Sequence, residues 1–296
     1  MDLTGVLAPL PTPFDDRDQV DLTRLRRALR HWIASPLTGF VILGTNGEAG
    51  LMDDAECDRV VEATRALVPE GRTLIVGAGR ESTAATARAA TRAGELGADA
   101  VLVRTPSFFK SQMTSDTLID HYRTVADGSP VPVLLYNFTA ATGVSLHPDA
   151  VASLAAHANI VGMKESGSDI GHLADLIAMT PRGFRVLSGS GTTFFAALCA
   201  GASGGILAVS GLLPDACMRI FELARERRYE EANAWQRRLL PLARLVSAGY
   251  GVPGLKAALK LRGIDVGLPR RPLRPAPDAA IIVLQQALAQ FEEVTA

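Results

Sequence analysis

Residues 160–166 read IVGMKES. Ile160, Val161 and Met163 make a short apolar run with a glycine inside it, and the run stops at Lys164 and Glu165. A continuous apolar run, rather than an alternating one, is the pattern of a strand covered on both faces. The pattern recurs upstream in GVLAPLP (5–11), GFVILG (39–44), TLIVGAG (73–79), AVLVRT (100–105) and VPVLLYN (131–137). Downstream it recurs in FRVLSGS (184–190) and GGILAVS (204–210). Helical patterns lie between these runs. Over 53–68, Cys57, Val60, Val61, Thr64, Leu67 and Val68 fall on one face, as do Leu118, Ile119, Tyr122, Val125 and Ala126 over 114–127. Asp21 and Thr114 stand where N-caps are expected, and Gly97 and Gly128 where helices should stop.

Eight strand candidates alternating with helices predict a parallel sheet with crossover helices, closed as a (β/α)8 TIM barrel of the α/β class. A doubly wound open sheet is the alternative. It calls for a dinucleotide fingerprint after the first strand, which GVLAPLPTPF does not carry, and GAGRES (77–82) is only G-x-G. After residue 213 the strand pattern ends. Residues 214–227, 229–249, 253–263 and 277–293 read as helix, with Pro253, Pro269, Pro272, Pro275 and Pro277 in the connections. The expected organisation is a barrel over 1–226 carrying the active site and a helical C-terminal extension over 227–296.

The chain has 296 residues, 48% hydrophobic and 21% charged, enough to bury a large core. Its net charge of −1 argues against nucleic acid, and RERR (225–228) lies in a helical pattern as a solvated face. No apolar run reaches the roughly 18 residues of a membrane span, and MDLTGVLAPLPTPF lacks the architecture of a signal peptide. A soluble, cytoplasmic protein is expected. Cys57, Cys199 and Cys217 are too few and too scattered for a disulfide frame or a zinc site. The five histidines show no metal spacing and no phosphate loop is present, so neither a metal nor an organic cofactor is expected.

In such a barrel, chemistry sits at the C-terminal ends of the strands. The runs end in Thr12; Thr45, Asn46 and Glu48; Thr105; Tyr136 and Asn137; Lys164, Glu165 and Ser166; Ser188, Gly189 and Ser190; and Ser210 and Gly211. Lys164 is the only lysine among them. Apolar surroundings favour the neutral amine, which can form a Schiff base with a carbonyl compound. The competing reading is a structural lysine paired with a carboxylate such as Glu165. Tyr136 ends the neighbouring strand and could relay protons, or be a core tyrosine with a satisfied hydroxyl. The GTNGE turn (44–48) offers backbone N–H groups and a threonine hydroxyl to a carboxylate.

GTNGE, YNFTAATG (136–143), GMKES (162–166), GASGGI (201–206) and PGLKAALKLRG (253–263) together resemble the dihydrodipicolinate synthase/N-acetylneuraminate lyase family over nearly the whole chain. The resemblance implies a Schiff-base aldolase on a (β/α)8 barrel with a helical extension, commonly a homotetramer built as a dimer of dimers. It implies that Lys164 forms the imine and Tyr136 relays protons. Thr45 and Asn46 fall where the family binds the carboxylate of a 2-oxo acid, and Ile206 where a backbone carbonyl faces the substrate. Gly47, Ser166 and Gly189 complete the candidate substrate-binding set.

The lysine-pathway synthases usually read Y-N-x-P-x-R-T-G after the tyrosine. Here Thr139 replaces the proline and Ala141 the arginine that helps hold the second substrate's carboxylate. TPSFFK (105–110) carries Phe108 and Phe109 where the family usually has a tyrosine that reaches across the dimer. NGE, TPSFF, ANIVGMKESGSD and GVPGLK are similar to the 4-hydroxy-2-oxoglutarate aldolases of the family. The expected reaction is therefore cleavage of 4-hydroxy-2-oxoglutarate to pyruvate and glyoxylate. The alternatives are synthesis of 4-hydroxy-tetrahydrodipicolinate from pyruvate and aspartate semialdehyde, and cofactor-free binding of a 2-oxo acid without catalysis.

Overall fold

The computed structural model describes residues 3–293. Eight strands form a closed barrel in sequence order. They are β1 (Gly5–Pro9), β2 (Gly39–Ile42), β3 (Thr73–Gly77), β4 (Ala100–Arg104), β5 (Val133–Asn137), β6 (Ile160–Glu165), β7 (Arg185–Ser188) and β8 (Gly204–Ile206). Neighbours run parallel, and β8 closes on β1 through Gly5 opposite Gly204 and Leu7 opposite Ile206. The apolar runs are continuous because alternate residues serve two cores. Leu7, Val41, Ile75, Leu102, Leu134, Leu187 and Ile206 fill the barrel interior. Val6, Phe40, Val76, Val103, Leu135, Met163 and Val186 pack outward against the helices.

Asp21 and Thr114 cap their helices as expected, accepting from the backbone N–H groups of Arg24 at 2.9 Å and Thr117 at 3.3 Å. The two periodic patterns form helices Asp54–Arg65 and Ser115–Gly128. Gly97 has the left-handed φ of +92° that ends a helix cheaply.

Four details depart from the sequence expectation. The first run stops pairing early, since Pro11 has no N–H to continue the ladder after Leu10 donates to Val41 O at 2.8 Å. The eighth run ends at Ile206, and Ser210 and Gly211 lie in a 3-10 turn (Ala208–Gly211) whose Ser210 hydroxyl bonds Leu207 O at 2.7 Å. Helix 229–249 is α-helical only over Tyr229–Arg244, then widens into a π turn (Leu245–Gly249) closed by Tyr250 N to Leu245 O at 2.8 Å. Pro253 is not in a connection. It sits in the first turn of helix Gly251–Leu261, where a missing N–H costs nothing.

The extension packs over the mouth of the barrel. From helix Gly251–Leu261, Lys256 reaches back to Glu48 in the GTNGE turn, with Nζ 2.7 Å from Oε1 and both side chains fully enclosed. Lys256 also donates to the carbonyls of Thr12 at 2.8 Å and Leu268 at 2.9 Å, and lies 4.7 Å from the Phe14 ring centroid. Arg270 N donates to Glu48 Oε2 at 2.7 Å, and its guanidinium forks onto both Glu56 oxygens at 2.6 and 2.7 Å. Burial pushes the Glu48 carboxyl up and the Lys256 ammonium down, while their mutual attraction opposes both shifts.

Removing one partner leaves a buried charge uncompensated. Lys256→Met is expected to lose about 3–5 kcal/mol of stability near neutral pH, read by denaturant unfolding. With its counter-ion gone, Glu48 holds a proton more readily in the folded state than in the unfolded one. The deficit should therefore shrink toward pH 5 and grow as the pH rises. A deficit flat between pH 5 and 8 would mean that Glu48 is not the group left unpaired.

Candidate active site

β5 and β6 pair with Tyr136 opposite Lys164. Side chains alternate along a strand, so one register places both on the inner face at the C-terminal mouth. Lys164 is 6% exposed, and its Nζ lies 4.4 Å from the centroid of the Tyr136 ring. The Tyr136 hydroxyl and Thr45 Oγ1 are hydrogen-bonded at 3.1 Å. Phe138 stacks on Tyr136, with centroids 6.1 Å apart and ring planes 21° apart.

The same alternation turns Glu165 outward. Its carboxylate accepts from Asn137 Nδ2 at 2.6 Å and Gly167 N at 2.5 Å, with His172 Nε2 at 3.5 Å. Among the described residues Lys164 has no carboxylate partner. The pairing with Glu165 that the sequence left open is absent.

A cavity of about 460 Å³ opens above this pair. Lys164, Tyr136, Thr45, Asn46, Ser166, Gly189 and Ile206 all line it. Gly47 does not. It shapes the turn instead, since a Cβ there would come within 2.8 Å of Leu43 N, and its carbonyl accepts the Thr12 hydroxyl at 2.7 Å. Asn46 Nδ2 donates to Pro9 O at 3.3 Å, so the turn is tied both to the end of β1 and, through Thr12, to the segment that follows it. Gly189 allows β7 to approach β6, where a Cβ would lie 2.0 Å from Ser166 Oγ.

A second lobe of about 520 Å³ shares Thr45, Tyr136, Phe138, Gly251 and Val252 with the first and extends over β3 and β4. Sequence reasoning did not find the contribution of residues beyond 226. Val246, Ser247 and Ala248 of the π turn, with Gly251 and Val252, complete the cavity wall, so residues 1–226 alone do not enclose it. The PGLK run carried a signal, a lysine in an otherwise apolar helix start. Its partner Glu48, though, is 208 positions away.

The loop after β4 presents Phe108 and Phe109 edge to face at 5.0 Å, 78% and 67% exposed. Glu81 holds this loop by accepting from Ser107 N at 2.8 Å and Phe108 N at 2.9 Å, and Arg104 Nη1 lies 2.8 Å from its Oε1. Burial works against the Glu81 carboxylate, but these donors prevail and hold its pKa at about 2.

The arrangement is a primary amine without a counter-ion, a phenol against it, and a hydroxyl-bearing turn on the far wall. Together these can capture a small carbonyl compound and move protons around it. Among the described residues no helix is long and apolar enough to cross a membrane.

Residues 2–290 match the model of the dihydrodipicolinate synthetase family. The chain is 37% identical to a 4-hydroxy-tetrahydrodipicolinate synthase of Exiguobacterium sp., over 98% of this chain and 99% of that protein. It is 35% identical to a probable mitochondrial 4-hydroxy-2-oxoglutarate aldolase of Emericella nidulans, over 98% of this chain and 95% of that one. The crystal structure of dihydrodipicolinate synthase from Thermotoga maritima superposes with a TM-score of 0.94 at 30% identity, covering 98% of each chain. The chain belongs to the dihydrodipicolinate synthetase family, whose members are carbon–carbon lyases of the aldolase type.

Proposed function

We propose that this protein is a class I aldolase that cleaves 4-hydroxy-2-oxoglutarate to pyruvate and glyoxylate through an imine on Lys164. The observation that carries this reading is the unpaired Lys164 amine 4.4 Å from the Tyr136 ring, with the Tyr136 hydroxyl on Thr45. Lys164 Nζ attacks C2 of the 2-oxo acid, and loss of water leaves a protonated imine. Thr45 and Asn46 hold the adjoining carboxylate. Tyr136 removes the C4 hydroxyl proton as the C3–C4 bond breaks. That bond's electron pair moves into the imine, giving an enamine, and glyoxylate departs. Protonation at C3 and hydrolysis return the free lysine and pyruvate. The cationic imine is the electron sink, so the scheme calls on no metal or organic cofactor.

Condensation of pyruvate with aspartate semialdehyde is the second reading, favoured by the 37% identical synthase. Ala141 in the second lobe weighs against it, because no arginine stands there to hold the semialdehyde's carboxylate. Borohydride reduction in the presence of pyruvate is expected to leave an adduct on Lys164 that is absent from Lys164→Ala. Tyr136→Phe is expected to lower kcat by about 10²–10⁴-fold while the adduct still forms. Saturable pyruvate binding with neither adduct nor turnover would leave a non-catalytic binder. Turnover of aspartate semialdehyde in preference to glyoxylate would establish the synthase.

The assembly we propose is a homotetramer in which the exposed Phe108–Phe109 pair is covered by a second copy. Burying such side chains is worth about 1.5–3 kcal/mol each. The double variant Phe108→Asp/Phe109→Asp should sediment as a smaller species than the parent. An unchanged sedimentation coefficient would remove this loop from the interface.

A further inference from the structure

The second lobe is mainly apolar, walled by Leu43, Leu102, Phe138, Val252 and Leu273, and it carries two charged groups. One, Glu48, is already matched by Lys256 and by the N–H of Arg270. The other is Arg104, the last residue of β4 and the register partner of Tyr136. It therefore faces inward, two strands and about 10 Å of sheet from Lys164. Gly79 makes room for it, since a Cβ there would lie 2.7 Å from Arg104 Cγ. Arg104 Nη1 is committed to Thr105 O at 3.0 Å and to Glu81 at 2.8 Å, which fixes the plane of the guanidinium. Among the described residues its Nε and Nη2 have no hydrogen-bond partner, and the side chain, 31% exposed, lines the lobe.

We propose that Arg104 is a specificity residue for the aldehyde half of the reaction, its free Nε/Nη2 edge receiving the carboxylate of an anionic aldehyde such as glyoxylate. This rests on the imine reading of Lys164. With C2 of the substrate bonded to Lys164, C3 to C5 extend past Tyr136 toward β4, and the terminal carboxylate arrives at the guanidinium. Ala141 lines the same lobe without a charge, so Arg104 supplies from a strand the cation that its short-helix neighbour lacks. A paired N–H edge is the geometry that binds a carboxylate forked. An apolar lobe around it suits a short acid and disfavours a polyhydroxylated aldehyde.

The test is the aldol-addition direction, with pyruvate as donor and either glyoxylate or uncharged glycolaldehyde as acceptor. Arg104→Gln should lower kcat/KM for glyoxylate by about 10- to 100-fold, mainly through KM, and change that for glycolaldehyde by less than about 3-fold. Pyruvate trapping on Lys164 should be intact in this variant. Arg104→Lys, which keeps a charge on the same strand, should retain a reduced preference for glyoxylate, with melting temperatures measured to check both folds. Equal losses for the two acceptors, or Gln and Lys variants that behave alike, would mean that Arg104 only props Glu81 and the Phe108 loop. Failure of wild-type enzyme to trap pyruvate would instead overturn the imine reading itself.

Discussion

A buried ion pair between residues 208 positions apart, Glu48 and Lys256, holds the GTNGE turn where the site needs it. Glu48 adopts a left-handed φ of +57°, which a glutamate occupies only when its surroundings demand it. Lys256 and the backbone of Arg270 supply that demand from the C-terminal extension. Burial works against both charges, and the pair persists because every strong donor around it is used: Lys256 on two carbonyls and Arg270 on Glu56. The extension is thus more than an appendage. It anchors the turn that carries Thr45 and Asn46 and closes the cavity with its π turn.

The second constraint is register. β6 reads Gly-Met-Lys-Glu, and a period of two sends Met163 to the outer core, Lys164 into the barrel and Glu165 outside again. A slip of one residue would exchange Lys164 for Glu165 and bury a carboxylate beside Tyr136. The bonds from Asn137 and Gly167 to Glu165 hold that alternation on the outside, so they bear on the inner face without touching it.

Charge is distributed unevenly around the mouth. Glu48, on the wall of the second lobe, is matched by Lys256 and the Arg270 N–H, and Glu165 is turned out of the barrel and satisfied, while Lys164 and one edge of Arg104 face the cavity with no carboxylate against them among the described residues. That asymmetry gives the site a positive character although the whole chain carries a net charge of −1.

The sequence by itself determined the repeating elements. Eight continuous apolar runs, capping residues such as Asp21 and Thr114 and the helical tail are local patterns, and local patterns can be read without coordinates. The polar strand ends also pointed to Lys164, Tyr136, Thr45 and Asn46, because a barrel directs them all to one mouth. Only the tertiary structure decided the rest. It turned Glu165 away from Lys164, matched Lys256 to Glu48, bent residues 245–249 into a π turn on the cavity wall, and set Arg104 in a lobe with Ala141. Each of these depends on which distant segments meet. Contacts between residues hundreds of positions apart are set by how the whole barrel closes, and no local pattern records them.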